Sequence, residues 1–356
     1  METRSKAPWD WKKLIVPVIG ILTGLILGGI IIALQGVNPL HAYYYLLYGA
    51  IGNREGLISS ILKTIPLGLV GLAVIFSYKS GIFNIGGEGQ FYLGAVGATV
   101  VGTLALPIPA FLHIILCILA AMVTGGLFAL LPGYLKAYRG FNEIVITMLL
   151  NYVALLSVSL LLQGPLQEPG SFYNRSSLFE STALLPPVLP GSRLHMGLVI
   201  LIVLAVLMHI LYRKTTLGFR MENVGMNRRA AQYSGENTKR LMMLSMLGSG
   251  AIAGAAGAIE IMGVNGRLIE NFISGVGYDA IAIALLANLN PLMSILAAFF
   301  FGALRNGANS MQIATGVSSS FVFIIQAVAV LFVIMIPGLP RLTRNLAGRR
   351  SRKNAC

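Results

Sequence analysis

Few side chains in this chain of 356 residues are placed to do chemistry, and none is spaced for covalent catalysis. There is no G-x-x-x-x-G-K-S/T phosphate loop, no H-E-x-x-H and no G-x-S-x-G. The string GGEGQ at 86–90 lacks the third glycine of a dinucleotide fingerprint and follows no soluble strand. His41, His113, His195 and His209 are scattered, and Cys117 and Cys356 have neither metal-ligand nor disulfide spacing. The sequence therefore points away from an enzyme, a metal site or a resident cofactor. What stands out is a small set of polar residues inside apolar sequence: Asn84, Glu88 and Gln90, then Asn151, then Asp279. At membrane depth such side chains need a partner or a water-lined cavity.

Each sits in a distinctive segment. In residues 77–98, SYKSGIFNIGGEGQFYLGAVGA, Gly81, Gly86, Gly87 and Gly89 weaken helix just where the polar stretch Asn84–Gln90 meets an apolar run. A broken helix in a membrane must line a cavity or be covered by protein, and in transporters such breaks put polar groups beside the pathway. Glu88 in a first helical turn also suits the helix dipole, and marking that helix start is its simpler role. In residues 140–156, GFNEIVITMLLNYVALL, Asn142 is a candidate cap, and Asn151 lies about two turns further in, where it faces a pathway or bonds a neighbouring helix. In residues 274–304 two half-length apolar runs meet at Asn288, Leu289, Asn290 and Pro291, with Asp279 opening the first; interrupted segments of this kind point to a binding pathway.

The fourth segment, residues 215–244, is polar and basic. Asn227 is a good N-cap, residues 228–234 make a short helix, Gly235 is a natural stop, and a further helix starts near Thr238. A capped helix held by rigid turns is a lever able to dock on another protein. The plainer alternative is a basic loop that only sets membrane orientation.

The elements that position these residues are membrane helices. Charged residues are 11% of the chain and mean hydropathy is +0.79, against about 25% charged residues in soluble proteins. An all-α integral membrane protein follows. Apolar runs long enough to span fall at 14–34, 57–76, 109–131, 143–162, 196–212, 241–262 and 319–337, with weaker ones at 86–105, 276–289 and 292–304. That makes ten spans, or as few as eight, with broken or half-length ones among them. The run at 14–34 is too long for a signal peptide and reads as an uncleaved first span. The organisation is a basic N-terminal segment at 1–13, one transmembrane domain at 14–340 with an external loop at 163–195 and a cytoplasmic region at 215–240, and a basic tail at 341–356. Residues between Gly36 and Arg54 read as an aromatic interfacial helix.

With both termini cytoplasmic, twenty basic residues fall inside and five outside (Arg54, Arg175, Arg193, Arg267 and Arg305), with Lys63 in a span. The net charge of +14 thus reads as orientation and contact with lipid headgroups, not nucleic-acid binding. Gly20, Gly24 and Gly28, and Gly250 and Gly254, have the small-xxx-small spacing of closely packed membrane helices. Intramembrane acids are few, which argues against a proton-coupled carrier.

Four strings, GIFNIGGEGQ, FNEIVITMLLNY, VGMNRRAAQYSG and GYDAIAIALL followed by NP, together resemble the permease family of ABC importers for nucleosides, related to ribose-type and branched-chain amino acid permeases, over roughly residues 55–340. The resemblance implies a vitamin B12 importer-like helical fold in a bacterial plasma membrane. This chain would form half of a pathway, beside a second permease that is a distinct homologue. A cytoplasmic ATPase subunit would bind the ATP and a substrate-binding lipoprotein would deliver cargo outside. It also implies that the short helix is a coupling helix, with Asn227, Arg228, Arg229, Ala230, Tyr233 and Gly235 at the ATPase contact. Asn84, Glu88, Gln90, Asn151 and Asp279 then become candidates for shaping the pathway. The sequence departs from the family at Arg228, where proline usually follows the asparagine, and at Glu236, where an apolar residue is common. A simple sugar such as ribose is the alternative cargo, and an ion-coupled secondary carrier the alternative machine.

Overall fold

The computed structural model describes residues 12–189 and 191–335. In chain order the helices are α1 (Lys12–Leu34), α2 (Pro39–Ile51), α3 (Arg54–Tyr78), α4 (Gly87–Gly102), α5 (Ala110–Arg139), α6 (Glu143–Leu162), α7 (Gly197–Lys214), α8 (Thr216–Met226), α9 (Arg228–Tyr233), α10 (Thr238–Glu260), α11 (Val276–Leu286), α12 (Pro291–Thr315) and α13 (Phe321–Met335). A π-helical turn, Ile261–Asn265, extends α10. Among the described residues, six are long and apolar enough to cross a membrane: α3, α5, α6, α7, α10 and α12. Together with α1, α4, α11 and α13 they coincide with the ten expected spans. Residues 1–11 of the basic N-terminal segment and the tail 341–356 lie outside the described residues.

Polar caps set many of the helix starts. The side-chain oxygens of Asn38, Asn53, Asn142, Thr215, Asn227 and Asn237 accept a backbone N–H from the first turns of α2, α3, α6, α8, α9 and α10. Pro66 and Pro132 lie inside α3 and α5 and are both buried.

The described chain divides into two compact units. One holds α1, α2, the part of α12 from Leu304 onward, and α13. In it Gly24 and Gly28 let α1 approach Ile325 of α13, and Tyr43 of α2 donates its hydroxyl to Leu25 O. The Asn306 amide donates to Gly49 O at 2.9 Å. Gly307 lies so close to Leu46 that an added Cβ would sit 2.2 Å from Leu46 O. Those contacts correct one expectation: α12 does not stop at 304 but continues to Thr315, so Arg305 is on a helix rather than in a loop. The polar stretch after Leu304 stays helical because its small face is covered by α2.

The other unit, Asn53–Ala303, carries the segments of interest. α10 is its central helix, packed on α3, α4 and α5. Small residues make this packing possible. A Cβ on Gly254 would lie 2.2 Å from Ala121 O of α5, and one on Gly94 of α4 would lie 2.2 Å from Gly254 Cα. α3 and α10 are largely buried, whereas α5, α6 and α7 turn most of their apolar surface outward, as helices facing lipid do.

This unit has two ends. One carries the turn at 79–81, α8 and α9. The other carries residues 163–196, folded into an ordered cap. There Glu168 pairs with Arg175 at 2.7 Å and Arg267 at 3.0 Å. Ser176, Phe179, Glu180 and Leu185 donate backbone N–H groups to Leu268 O, Gly266 O, Gly102 O and Met262 O. The loop is thus stitched to α4 and to the segment after α10, and is more than a connection.

Candidate functional site

Two chain breaks meet inside the second unit. The first is residues 82–86, non-helical backbone that leads from the end of α3 into α4. The second is residues 266–275, an irregular strap that leaves the cap and runs antiparallel to α4 before α11 begins. Near the cap, Gly266 O accepts from Phe179 N and Gly102 O from Glu180 N. Further along, the Phe272 ring stacks on Phe91 at 5.3 Å and meets Tyr92 edge-on at 4.9 Å. The Tyr92 hydroxyl donates to Ile273 O. At the far end Glu88 accepts Gly275 N at 2.7 Å and Gly277 N at 2.5 Å.

This meeting point lies at membrane depth. A Cβ on Gly87 would sit 3.1 Å from Val70 Cγ1 and 3.8 Å from Gly277 Cα. Val70 is eight residues from one end of α3 and sixteen from the other, or about 12 Å and 24 Å at roughly 1.5 Å per residue.

Backbone that leaves helix at this depth must find other partners. The polar residues singled out by the sequence supply them. Asn151 Oδ1 accepts Gly89 N at 2.9 Å, and its amide donates to Ile85 O at 3.0 Å. Thr147 Oγ1 accepts Ile85 N at 3.3 Å. Asn84 Oδ1 accepts Gly86 N at 2.9 Å and the Gln90 amide at 3.1 Å, while the Asn84 amide donates to Gln90 Oε1 and Ser249 Oγ, both at 2.9 Å. Ser249 in turn donates to Ala73 O at 2.7 Å. Asn84, Glu88, Gln90 and Asn151 are each buried, at 3% exposure or less. They form one node that binds α3, α4, α6, α10 and the start of α11. Asp279 is half-buried in the first turn of α11.

The short basic helix is α9. Asn227 Oδ1 accepts Ala230 N at 3.1 Å, Ala231 is buried, and Gly235 takes φ +84° just beyond the end. Arg229, Ala230 and Tyr233 are exposed, Tyr233 at 94%, with Met226 beside them at 82%. Arg228 is partly buried.

Sequence reasoning missed the helix before it. α8 buries Gly218, Met221 and Val224, and that three-residue spacing behind the Thr215 cap was the available signal. α8 is fastened on both sides. Lys79 and Glu222 pair, and a Cβ on Gly225 would lie 2.2 Å from Lys79 O, so α8 rests directly on the turn before the first break. Arg220 Nε donates to both Glu236 oxygens, at 2.9 and 2.7 Å, tying α8 to the turn between α9 and α10. This contact gives the unusual Glu236 a use, and its hydrogen bonds hold the Arg220 guanidinium still more firmly protonated.

The chain is 37% identical over 327 residues to the guanosine ABC transporter permease protein NupP of Bacillus subtilis, covering 90% of this chain and 93% of that one. It is 36% identical over 344 residues to the glucose ABC transporter permease protein TsgB13 of Haloferax volcanii, covering 94% and 90%. It is 30% identical over 364 residues to the nucleoside ABC transporter permease protein NupB of Lactococcus lactis, covering 97% and 99%. Among solved structures, an inward-facing conformation of a putative metal-chelate type ABC transporter aligns with 90% of this chain and 97% of that one, at 17% identity and a TM-score of 0.41. The model of the branched-chain amino acid transport system/permease component family matches residues 56–336, which take in both breaks, α8 and α9, and the chain belongs to that family.

Proposed function

We propose that this permease is one of two membrane subunits of an ATP-driven importer for nucleosides. The observation that carries this reading is near-full-length similarity to permeases named for guanosine and for nucleosides. The partner permease is a distinct homologue, a lipoprotein delivers the cargo, and a peripheral ATPase subunit binds ATP. In the bacterial plasma membrane the cap end faces outward and the α8–α9 end faces the cytoplasm, with both termini cytoplasmic. The basic residues around α8 and α9 support that orientation.

In this reading Asn227, Arg228, Arg229, Ala230, Tyr233 and Gly235 build the ATPase contact. Exposed Arg229 and Tyr233 on a rigidly capped helix suit it. Motion imposed on α9 passes through the Arg220–Glu236 and Lys79–Glu222 pairs to the turn that opens the first break. Asn84, Glu88, Gln90 and Asn151 shape the pathway by holding the broken segments in place, and Asp279 shapes it from the first turn of α11. No covalent step falls to this chain.

A sugar is the second reading, favoured by the similarity to a glucose permease. Uptake decides between them. Cells lacking the gene and the same cells with it restored are given labelled guanosine, with unlabelled glucose or ribose in excess. Restored uptake that neither sugar suppresses supports the nucleoside. Guanosine uptake indifferent to the gene, with gene-dependent sugar uptake, overturns it.

A further inference from the structure

α5 carries one uninterrupted exposed stripe. Every exposed residue from Phe111 to Leu131 is apolar, and the later ones, Leu119, Val123, Leu127 and Leu131, fall four apart along one side of the helix. The stripe then changes character. Its next two members are Tyr134 and Tyr138, 44% and 47% exposed, whose rings stack at 5.1 Å. Lys239, in the first turn of α10, sets its ammonium 5.0 Å from the centre of the Tyr138 ring.

Depth agrees with this change. The hydrocarbon layer of a bilayer is about 30 Å thick, and the headgroup regions bring the whole to about 40–45 Å. At roughly 1.5 Å per residue, Tyr134 and Tyr138 lie about 33 and 39 Å along α5 from Leu112, or a little less across a tilted span. With Leu112 at one edge of the hydrocarbon, the tyrosines stand at the headgroups of the other, where amphipathic rings collect.

The cations at this corner have no acid to hold. Arg139, Lys239 and Arg240 are exposed, and among the described residues none of them pairs with a carboxylate. Glu143, just past the turn that ends α5, is buried and taken by Lys136 at 2.7 Å. Three uncompensated positive charges beside two interfacial tyrosines call for an anion. At the depth of the headgroups the anion at hand is a lipid phosphate.

We infer that the corner between the end of α5 and the start of α10 binds an anionic phospholipid. Arg139 and Lys239 hold its phosphate, with Arg240 beside them. The stacked tyrosines pack against its glycerol backbone, and the apolar stripe from Leu131 to Leu119 carries an acyl chain. α10 begins at Thr238, five residues past the end of α9, so a bound lipid also braces the corner on which α9 turns. That bracing rests on the importer reading above; the lipid site itself depends on neither the ATPase nor the cargo.

The test uses the complete transporter with its partner subunits, in phosphatidylcholine vesicles holding a trace of photoactivatable phosphatidylglycerol. Crosslinked peptides are mapped by mass spectrometry. The expected result is label on residues 134–141 and 237–241, displaced by unlabelled phosphatidylglycerol and not by inorganic phosphate. Arg139→Gln with Lys239→Gln should lower that labelling more than tenfold, at about fivefold for each cation removed. Arg213→Gln with Lys214→Gln takes the same charge from the end of α7 and should leave the label in place. So should Arg139→Lys with Lys239→Arg, which keeps the charge of the corner. An unlabelled corner, label displaced by inorganic phosphate, or label lowered equally by both glutamine pairs overturns the proposal. ATP-driven uptake is scored on the same vesicles. A labelled corner without such uptake overturns the importer reading and upholds the lipid site. Uptake with an unlabelled corner overturns the lipid site alone.

Discussion

Glu88 offers the sharpest perturbation. It is 3% exposed, and its two oxygens accept Gly275 N and Gly277 N, so it fixes the point where the strap becomes α11. Glu88→Ala leaves the buried Gly277 N–H and the part-buried Gly275 N–H without that acceptor. Each orphaned donor costs about 1–3 kcal/mol, so the pair costs about 2–6 kcal/mol, before any cavity left by the lost side chain. Glu88→Gln keeps one acceptor oxygen and turns an NH2 toward the other donor, for about 1–3 kcal/mol. Thermal unfolding in micelles should therefore rank wild type above Glu88→Gln above Glu88→Ala. Hydrogen exchange should locate the loosening at residues 272–277. Tyr92→Phe removes the bond to Ile273 O on the same strap, and its effect should combine non-additively with Glu88→Gln. An alanine variant that unfolds at the wild-type temperature, with unchanged exchange in the strap, would refute the reasoning.

Three further predictions rest on other parts of the chain. Gly254→Ala puts a Cβ 2.2 Å from Ala121 O, which must push α5 and α10 apart for about 1–3 kcal/mol or more, while Gly28→Ala meets the movable Tyr43 hydroxyl at 2.9 Å and should cost less in the same melting assay. Arg228→Glu with Arg229→Glu should leave melting unchanged and abolish co-purification of the ATPase subunit and transport; retained association would remove α9 from that contact. His195, just before α7, is buried with Nε2 unpartnered, and burial pushes its pKa down to about 4. The unfolded chain, near 6.5, binds the proton first, so stability is level above that value and falls with pH toward 4, by about 2 kcal/mol between pH 7.5 and 5. His195→Asn, which keeps an acceptor for Gly197 N, should flatten that part of the pH profile of unfolding.

Much of the fold was legible because hydropathy and breaks are local signals. Gly86 and Gly87 mark the late start of α4, and Asn288 and Leu289, both with φ near +50°, make the turn read from Asn-Leu-Asn-Pro. The partners were not legible. Asn84 finds Ser249 across 165 positions, and Gly275 finds Glu88 across 187. No local pattern carries such pairings. The strap was invisible for the same reason. Its sequence, GRLIENFISG, has neither helical nor strand periodicity, and its course follows from Phe91, Tyr92 and Glu88 on another element. α8 was missed because residues 304–315 and 216–226 look alike as polar sequence. Each becomes helical only because a neighbour covers its small face.

The polar node also bears on how a permease can let cargo go. A site that presented Asn84, Glu88, Gln90 and Asn151 to cargo would offer several strong, buried hydrogen bonds, and each would have to be broken again at release. In this fold those atoms are already committed to Ile85, Gly86, Gly89, Gly275 and Gly277 and to one another. On the importer reading proposed above, cargo would then meet weaker and mostly apolar contacts. Weak holding suits a pathway whose direction is imposed from elsewhere. The fastening of α8 supplies the place to impose it, since Lys79 is five residues from Asn84 and paired to the helix that carries α9. Rearranging the first break would then disturb Gly86 and Gly89, the node, and through Glu88 the strap, so one displacement at the α8–α9 end reaches both breaks without a second input.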